Sequence, residues 1–464
     1  MEETLETPET PETPETPDSN EKDAKYIQMT QTPVPSLIIK LAIPTIISML
    51  VTGLYNMADT FFVGQISTVD TAAVSLVLTV MSIIQAVGFF CGQGSGTYLA
   101  RMLGNGDKQK AEEMAATGFV VAAILGVAIA VIGNVFAHPI AFLLGADEDN
   151  IAETMRYLRI ILIGAPFMTC QFVVNNQLRF QGSAIYAMVG LFIGAVVNVG
   201  LDPLLIFGFH MGISGAALAT ISAQFVSFVM LLIGTTKGTN IRLHPQNIRL
   251  NWHYIREIIN GGAASFLRQG LMALATGLMN NIARDLGSSA ATAAMGVVTK
   301  VVMMVASAMI GFGQGFQPVC SYNYGAGLKM RVREGFIFCV NYGTIALTIG
   351  SALLFIFAKP IVTLMRNDPA VVAIGVPALR WQSVALPLFA FSSMSNMFLQ
   401  ATGKGLKASI ASSLRSGLIY IPLLYLLSTL FGLTGLEMAQ GVADILTFFV
   451  TIPLSVSELR KLKE

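Results

Sequence analysis

The chain has 464 residues, of which 54% are hydrophobic and only 12% are charged, and its formal net charge is +1. Soluble domains carry about 25% charged residues, so this composition excludes a soluble protein and indicates an integral membrane protein. The small net charge argues against a nucleic-acid partner. The apolar runs are far longer than the alternating strands of an outer-membrane barrel, and the spans are therefore predicted to be helices.

The N-terminal residues 1–35 are acidic and contain no apolar core. Between Thr7 and Pro17 they repeat the tripeptide Pro-Glu-Thr. A secretory signal requires an apolar region, whereas low hydrophobicity with high charge is typical of disorder. We therefore predict that 1–35 is a disordered acidic tail in the cytoplasm.

Twelve apolar runs follow, and each is long enough to cross a bilayer as a helix. A polar link separates the first six runs from the last six. The predicted domains are an N-terminal lobe at 36–235, a cytoplasmic linker at 236–256, a C-terminal lobe at 257–456 and a basic cytoplasmic tail at 457–464. The runs are 38–63, 73–100, 113–137, 155–178, 184–207, 213–235, 257–283, 291–321, 334–358, 374–400, 408–430 and 433–455.

Basic residues cluster in every second turn between the runs, and the intervening turns carry mostly acids. Lysine and arginine in short loops remain on the cytoplasmic side of a membrane. Both termini are therefore predicted to be cytoplasmic, in a multi-pass protein of the inner membrane. The basic turns contain Arg101, Lys108, Lys110, Arg179, Lys237, Arg242, Arg249, Arg256, Lys329, Arg331, Arg333, Lys404 and Lys407.

The two halves of the chain share residues at a constant offset of 221 positions. Gly92-Gln93-Gly94 recurs as Gly313-Gln314-Gly315, and Asn175 recurs as Asn396. Because six spans separate equivalent positions, both halves have the same orientation in the membrane. The predicted fold is an all-α integral membrane protein with twelve transmembrane helices in two six-helix bundles related by a parallel repeat, which suits a transporter with a central cavity.

Two acids interrupt the apolar runs of the N-terminal half. Asn198 and Asp202 are four residues apart, on one face of a helix, and Pro203 follows directly, so a bend is expected beside the acid. Asp59 ends the first run. A carboxylate within the bilayer is costly and is by default a functional-site candidate. We predict that Asp59 and Asp202 meet in a polar pocket.

Helix direction brings two more polar residues to the same depth. The runs of Tyr157 and Thr220 begin on the outer side of the membrane, where those of Asp59 and Asp202 end. Two neighbouring carboxylates either share a proton or hold a sodium ion, so the expected coupling ion is a proton or sodium, without a cofactor. The predicted cation-coupling group contains Asp59, Asp202, Asn198, Thr220 and Tyr157.

Further charges inside the apolar runs of the second half include Arg268, Lys300, Arg415, Glu437 and Asp444. Lys300 and Asp444 both fall near the middle of their runs. We predict a buried structural ion pair between these two residues.

Several segments resemble the multidrug and toxic compound extrusion (MATE) family over about residues 36–456. They include Pro44 with Tyr55-Asn56-Met57-Ala58-Asp59, the two Gly-Gln-Gly segments, Tyr322-Asn323-Tyr324-Gly325-Ala326, and Gly212 with Gly215-Ala216-Ala217. The resemblance implies a secondary active multidrug antiporter that expels amphipathic, often cationic compounds in exchange for protons or sodium.

The resemblance also implies roles for particular residues. Residues that match Asp59, Asn198, Asp202 and Thr220 form a cation site in the family, and those that match Tyr55, Asn175 and Asn198 line the drug pocket. The seventh run lacks the glutamates of another branch, since 257–283 holds only Glu257. We therefore expect one cation site, in the N-terminal lobe, as in the bacterial and archaeal branch.

The expected partners are amphipathic small-molecule drugs and the lipid bilayer, with no nucleic acid, and the protein is expected to be a monomer. A related flippase for lipid-linked saccharides is the alternative function, and it would need several bases around the cavity. An intramembrane enzyme is not expected, because His138, His210, His244 and His253 all lie at span ends or in loops.

Overall fold

The computed structural model describes residues 17–462, without the side chains at 17–23, 54, 56, 57, 60, 68, 287 and 288. Every secondary-structure element in this range is a helix. After α1 (Pro17–Gln31), the N-terminal lobe contains α2 (Val34–Gly64), α3 (Thr68–Gly104), α4 (Lys108–Val135), the short α5 (Ala137–Leu143), α6 (Ile151–Phe180), α7 (Ala184–Pro203) and α8 (Gly212–Thr235). A π-helical turn, Leu204–Gly208, continues α7.

The C-terminal lobe contains longer helical stretches. They are α9 (Trp252–Gly325), α10 (Lys329–Ile356), the short α11 (Ala358–Met365), α12 (Pro369–Ala401), α13 (Gly405–Ser413), a π-helical turn (Leu414–Leu418) and α14 (Tyr420–Arg460). The predicted linker at 236–256 is shorter than expected, because α9 begins at Trp252. The predicted tail at 457–464 is shorter as well, because α14 ends at Arg460.

The 74-residue α9 turns back on itself. A straight helix of that length would extend about 110 Å, yet both ends of α9 lie beside Arg101. The Arg101 guanidinium donates to Glu257, near the start of α9, at 3.0 Å. A methyl group on Gly325, the last residue of α9, would lie 2.0 Å from the carbonyl oxygen of Arg101. Hence α9 comprises two antiparallel spans.

Among the described residues, ten helices are long and apolar enough to cross a membrane. One of them, Gly405–Arg460, holds two spans, because Gly432 has non-helical backbone angles (φ 58°, ψ −130°). The first half of α9 is too polar to be among the ten and adds another span. The total of twelve agrees with the prediction.

The turns confirm the internal repeat. Gly106 and its counterpart Gly327 have φ of 80° and 73°, and Gly182 and Gly403 have φ of 79° and 75°. Positive φ strains any residue with a Cβ atom. The same backbone turn therefore recurs at the offset of 221 residues.

Packing between the halves is reciprocal. A methyl group on Gly104 would lie 2.0 Å from the carbonyl oxygen of Tyr322, and one on Gly325 would lie 2.0 Å from that of Arg101. Gly325 is the counterpart of Gly104 and Tyr322 is the counterpart of Arg101, so the repeat relates the two contacts, as expected of a two-fold axis. Since equivalent helix ends lie side by side, the lobes are parallel and not inverted.

Among the residues that the structure describes, the two lobes share a hydrophobic core at one end. A junction core combines Leu37, Ile38 and Leu41 of α2 with Phe316 and Phe336 of the C-terminal lobe. Toward the other end, the described residues form two separate cores, one within residues 63–221 and one within residues 275–443. The lobes therefore diverge from the junction core and leave space between them.

The predicted disorder of 1–35 is wrong for Pro17–Gln31, which form α1; residues 1–16 lie outside the described range. Tyr26 and Met29 are one helical turn apart, and Met29 is buried at 1% exposure. The Lys25 ammonium donates to Ser183 and Asn240, both at 3.0 Å. One apolar face and one lysine thus dock a helix whose average composition is polar.

Candidate functional site

A central cavity of about 340 Å³ lies between the lobes. Both lobes line it with a mixture of apolar and polar side chains, which suits amphipathic ligands. Its apolar surface includes Met49, Phe89, Phe172, Met272, Met303 and Phe389, and its polar surface includes Thr52, Gln85, Gln171, Gln224, Ser227, Gln269 and Gln314.

All three predicted drug-pocket residues, Tyr55, Asn175 and Asn198, line this cavity. The Asn175 side chain also has a structural contact, because its amide donates to the carbonyl of Ala187 at 3.0 Å. The structure thus brings the three residues to one surface, whereas their role in binding remains a prediction.

The predicted acid pair lies beside the cavity. Asp202 is fully buried at 0% exposure, and Asp59 is close enough to interact electrostatically with Asp202, Tyr55 and Tyr157. Tyr157 in turn neighbours Thr220. The five residues of the predicted cation-coupling group therefore converge from α2, α6, α7 and α8.

Local backbone structure positions Asp202. It precedes Pro203, which cannot donate to a helical carbonyl, and the π-helical turn Leu204–Gly208 follows at once. Such turns are frequent at functional sites. Helix α8 approaches this turn closely, since a methyl group on Gly215 would lie 2.8 Å from the backbone of Leu205.

The group presents oxygen atoms without partners. Asp59 Oδ1, both carboxylate oxygens of Asp202, Asn198 Oδ1 and the Tyr157 hydroxyl are buried and accept no hydrogen bond from the described residues. Buried polar atoms normally have partners. Four of these five atoms are pure acceptors, so the site fits a proton or a small cation such as sodium.

The predicted cation-coupling group reaches the cavity through two of its five members. Asn198 and Thr220 belong to the coupling group and also line the cavity, whereas Asp59, Asp202 and Tyr157 do not line it. A change of charge at the acid pair therefore acts directly on the cavity wall.

Three polar residues of the N-terminal half of the cavity were not predicted from the sequence. Gln171, Gln224 and Ser227 line it, and each has a buried side-chain oxygen without a partner in the described residues. The spacing of Thr220, Gln224 and Ser227 on α8 could have revealed the latter two, because residues at i, i+4 and i+7 share one helix face.

The predicted ion pair between Lys300 and Asp444 is wrong. Asp444 Oδ1 accepts a hydrogen bond from Arg415 Nε at 2.8 Å, and Gln440 donates to the same oxygen at 2.9 Å. Lys300 is exposed. Lys300 and Arg415 both come from segments that pack against α14, but only the Arg415 side chain is paired with Asp444.

Two parallel six-helix bundles, a cavity between them and a buried acid pair beside it define a secondary membrane transporter. The MatE family model matches residues 44–204 and 264–426, and the two matches are separated by nearly the offset of the internal repeat. The chain belongs to this family of transporters.

Two curated relatives are similar over almost the whole chain. The multidrug export protein MepA of Staphylococcus haemolyticus is 28% identical over 439 residues, 93% of this chain and 96% of the relative. MepA of Staphylococcus aureus is 29% identical over 430 residues, 92% of this chain and 94% of the relative.

Solved structures share the fold. A crystal structure of MATE in complex with MaL6 has a TM-score of 0.89 at 24% identity and covers 94% of this chain and 99% of its own. A transporter of the MOP superfamily from Pyrococcus furiosus, described as having a binding pocket of reverse polarity, has a TM-score of 0.89 at 23% identity, with 94% and 98% covered.

Proposed function

We propose that this protein is a secondary active multidrug exporter, which expels amphipathic, often cationic compounds in exchange for protons or sodium ions by alternating access. The observation that carries the proposal is the contact between the acid group and the cavity through Asn198 and Thr220. The two staphylococcal relatives, both multidrug export proteins, support the same function.

Coupling follows from the charge of the acid pair. When Asp59 and Asp202 carry no proton or cation, they attract a cationic drug toward the N-terminal half of the cavity. When they take up a proton or a sodium ion, this attraction weakens and the drug is released. A ligand can shift a conformational equilibrium only through its different affinity for the two states, and ion and drug compete here for one charge.

The orientation decides where the drug is released. The lobes meet at the end that carries basic turns, and Arg101 lies in that contact. By the positive-inside rule this end and both termini face the cytoplasm. In this orientation the cavity opens to the outside, and the structure corresponds to the state that releases the drug.

Helix α2 is the element that must move between states. Its first half packs against the C-terminal lobe, where Ala42 touches Gly315 and Ile46 touches Gly311, and its second half carries Asp59. Pro44 lies within the packed half, between Ala42 and Ile46, and permits a bend of α2 at this contact. Ion uptake at Asp59 is thereby connected to the contact between the lobes.

A lipid-linked saccharide flippase remains the second candidate, because two arginines, Arg268 and Arg415, line the cavity. The relatives favour the drug exporter. No catalytic activity is proposed.

The test is ethidium efflux from proteoliposomes with an imposed pH gradient and, separately, an imposed sodium gradient. One of the two gradients is expected to drive efflux, and an ionophore that collapses that gradient is the control. Efflux that depends on neither gradient would refute the antiporter, and flipping of a polyprenyl-linked saccharide without any drug transport would favour the second candidate.

A further inference from the structure

The C-terminal lobe contributes two arginines to the wall of the central cavity. Arg268 comes from α9, and Arg415 comes from the π-helical turn after α13. The two segments touch, because a methyl group on Gly417 would lie 2.8 Å from the Leu271 side chain. The two guanidinium groups are close enough to interact electrostatically.

Asp444 neutralises one of these two charges. Its Oδ1 accepts from Arg415 Nε at 2.8 Å and its Oδ2 from Arg415 Nη2 at 3.3 Å, so the pair is bidentate. The Arg415 guanidinium carbon lies over the Phe389 ring, 4.2 Å from the centroid of the ring. Arg415 is therefore held in place, and its Nη1 has no acceptor among the described residues.

Arg268 has no acid partner in the part of the chain that the structure describes. With two arginines and one aspartate, this side of the cavity carries a net charge of +1. A partly buried charge without a partner is costly. An anionic group that enters the cavity would relieve this cost, and a planar carboxylate or a phosphate suits the donor geometry of guanidinium groups.

We infer that Arg268 and the free edge of Arg415 form a subsite for the anionic group of the substrate. The acid pair of the N-terminal lobe and this subsite lie on opposite lobes, so the cavity is bipolar. Zwitterionic amphiphiles match it best, with the amine toward Asp59 and Asp202 and the acid group toward Arg268. This inference rests on the proposed function, because it names which of its substrates bind most tightly.

The experiment is equilibrium binding to the full-length protein purified in detergent, which needs no ion gradient. The probes are a rhodamine dye with a free carboxylate, the methyl ester of the same dye, and a polyprenyl pyrophosphate lipid. The free-acid dye is expected to bind more tightly than its ester. Arg268→Gln should weaken free-acid binding about tenfold, the loss of one charged hydrogen bond, and Arg268→Lys should restore part of it.

Lys300→Gln is the matched control, because it removes one positive charge from the same helix, α9, at an exposed position outside the cavity lining. It should leave the ratio of free-acid to ester binding unchanged. Binding of the ester by Arg268→Gln reports that the variant is folded.

The outcomes separate this inference from the proposed function. Binding of the pyrophosphate lipid alone, weakened by Arg268→Gln, would support the subsite but refute drug export. Equal binding of both dyes by the wild type would overturn the subsite. So would an Arg268→Gln variant that binds every anionic probe as tightly as the wild type does. In either case, binding of the ester dye would still support drug export.

Discussion

The N-terminal and C-terminal lobes repeat the same helices and turns, but they differ in the charges that they bring to the centre. At the offset of 221 residues, Asp59 and Asp202 correspond to Asn280 and Leu423. The C-terminal lobe therefore cannot form the acid pair, and we expect one cation site per chain.

The arginines show the opposite asymmetry. Arg415 and Asp444 correspond to Gly194 and Ala223 of the N-terminal lobe. Gly194 lies against the backbone of Ala223, so these two positions are in contact in both lobes. The C-terminal lobe places an ion pair where the N-terminal lobe places two small residues.

The two lobes share an asparagine hydrogen bond between two consecutive helices. The Asn175 amide donates to the carbonyl of Ala187 at 3.0 Å, and its counterpart Asn396 donates to that of Ala408 at 2.7 Å. The repeat thus provides a common scaffold, and function resides in positions where the two copies have diverged.

The largest effect is expected from the acid pair. Asp202→Asn and Asp59→Asn should each reduce gradient-driven ethidium efflux from proteoliposomes to the background rate, because the coupling charge is lost. Both variants should fold, since removal of a buried charge need not destabilise. Drug binding in detergent should fall less than efflux, because the drug also contacts apolar surface.

Asp285→Asn is the control for this prediction, because it removes an exposed acid from the C-terminal lobe. It should keep efflux near the wild-type rate. Retained gradient-driven efflux in Asp202→Asn would leave Asp202 as a structural acid and remove the functional difference between the lobes.

The fold was predictable from the sequence because the bilayer imposes a minimum span length and the repeat fixes the relation between the halves. The convergence of Asp59, Tyr157, Asp202 and Thr220 was predictable as well, because helix direction alone sets their depth. Neither argument requires knowledge of side-chain packing.

The partner of Asp444 was not predictable in this way. Depth restricts the candidates to Lys300 and Arg415, but the choice depends on helix rotation, and one residue turns a helix by about 100°. The π-helical turn at Leu414–Leu418 changes that rotation just where Arg415 lies. Helix α1 was missed for a different reason, since Tyr26 and Met29 form too short an apolar pattern within an acidic segment.

The next effect concerns the stability of the C-terminal lobe. Asp444→Asn should lower the free energy of unfolding by about 2 kcal/mol, less than a fully buried pair would lose, because Arg415 lines the cavity. The double variant Arg415→Met with Asp444→Leu should lose about 1 kcal/mol or less, since the N-terminal lobe folds without a pair at these positions.

Thermal unfolding in detergent measures both variants of this pair. The variant Arg415→Met alone completes the double-mutant cycle. A double variant that is as unstable as Asp444→Asn would mean that the C-terminal lobe needs the pair for its fold.

A smaller effect is expected at the shared asparagines. Asn175→Ala and Asn396→Ala should lower the free energy of unfolding by similar amounts, about 1 kcal/mol each, because each loses the same hydrogen bond. Only Asn175→Ala is expected to weaken ethidium binding, by a few-fold, since the acid pair lies in its lobe. Equal losses of binding would show that both asparagines act only on the scaffold.

The smallest effect concerns α1, which is attached differently to the two lobes. Lys25 donates to Ser183 and Asn240 of the N-terminal lobe, whereas on the other side the carbonyl of Met29 accepts from Asn323. Burial lowers the pKa of Lys25 from 10.5 to about 8. Only the contact with the N-terminal lobe should therefore depend on pH.

The sign follows from proton linkage. Between pH 8 and pH 10.5, the undocked helix binds more protons than the docked one, so docking should strengthen as the pH rises through this window and stay constant below it. Spin-label distances between α1 and α8 can measure the docked fraction, with Lys25→Met as the pH-insensitive control. Release of α1 as the pH rises would contradict the prediction that its contact with the N-terminal lobe strengthens with pH. A Lys25→Met variant with the same pH response as the wild type would show that Lys25 is not the titrating group.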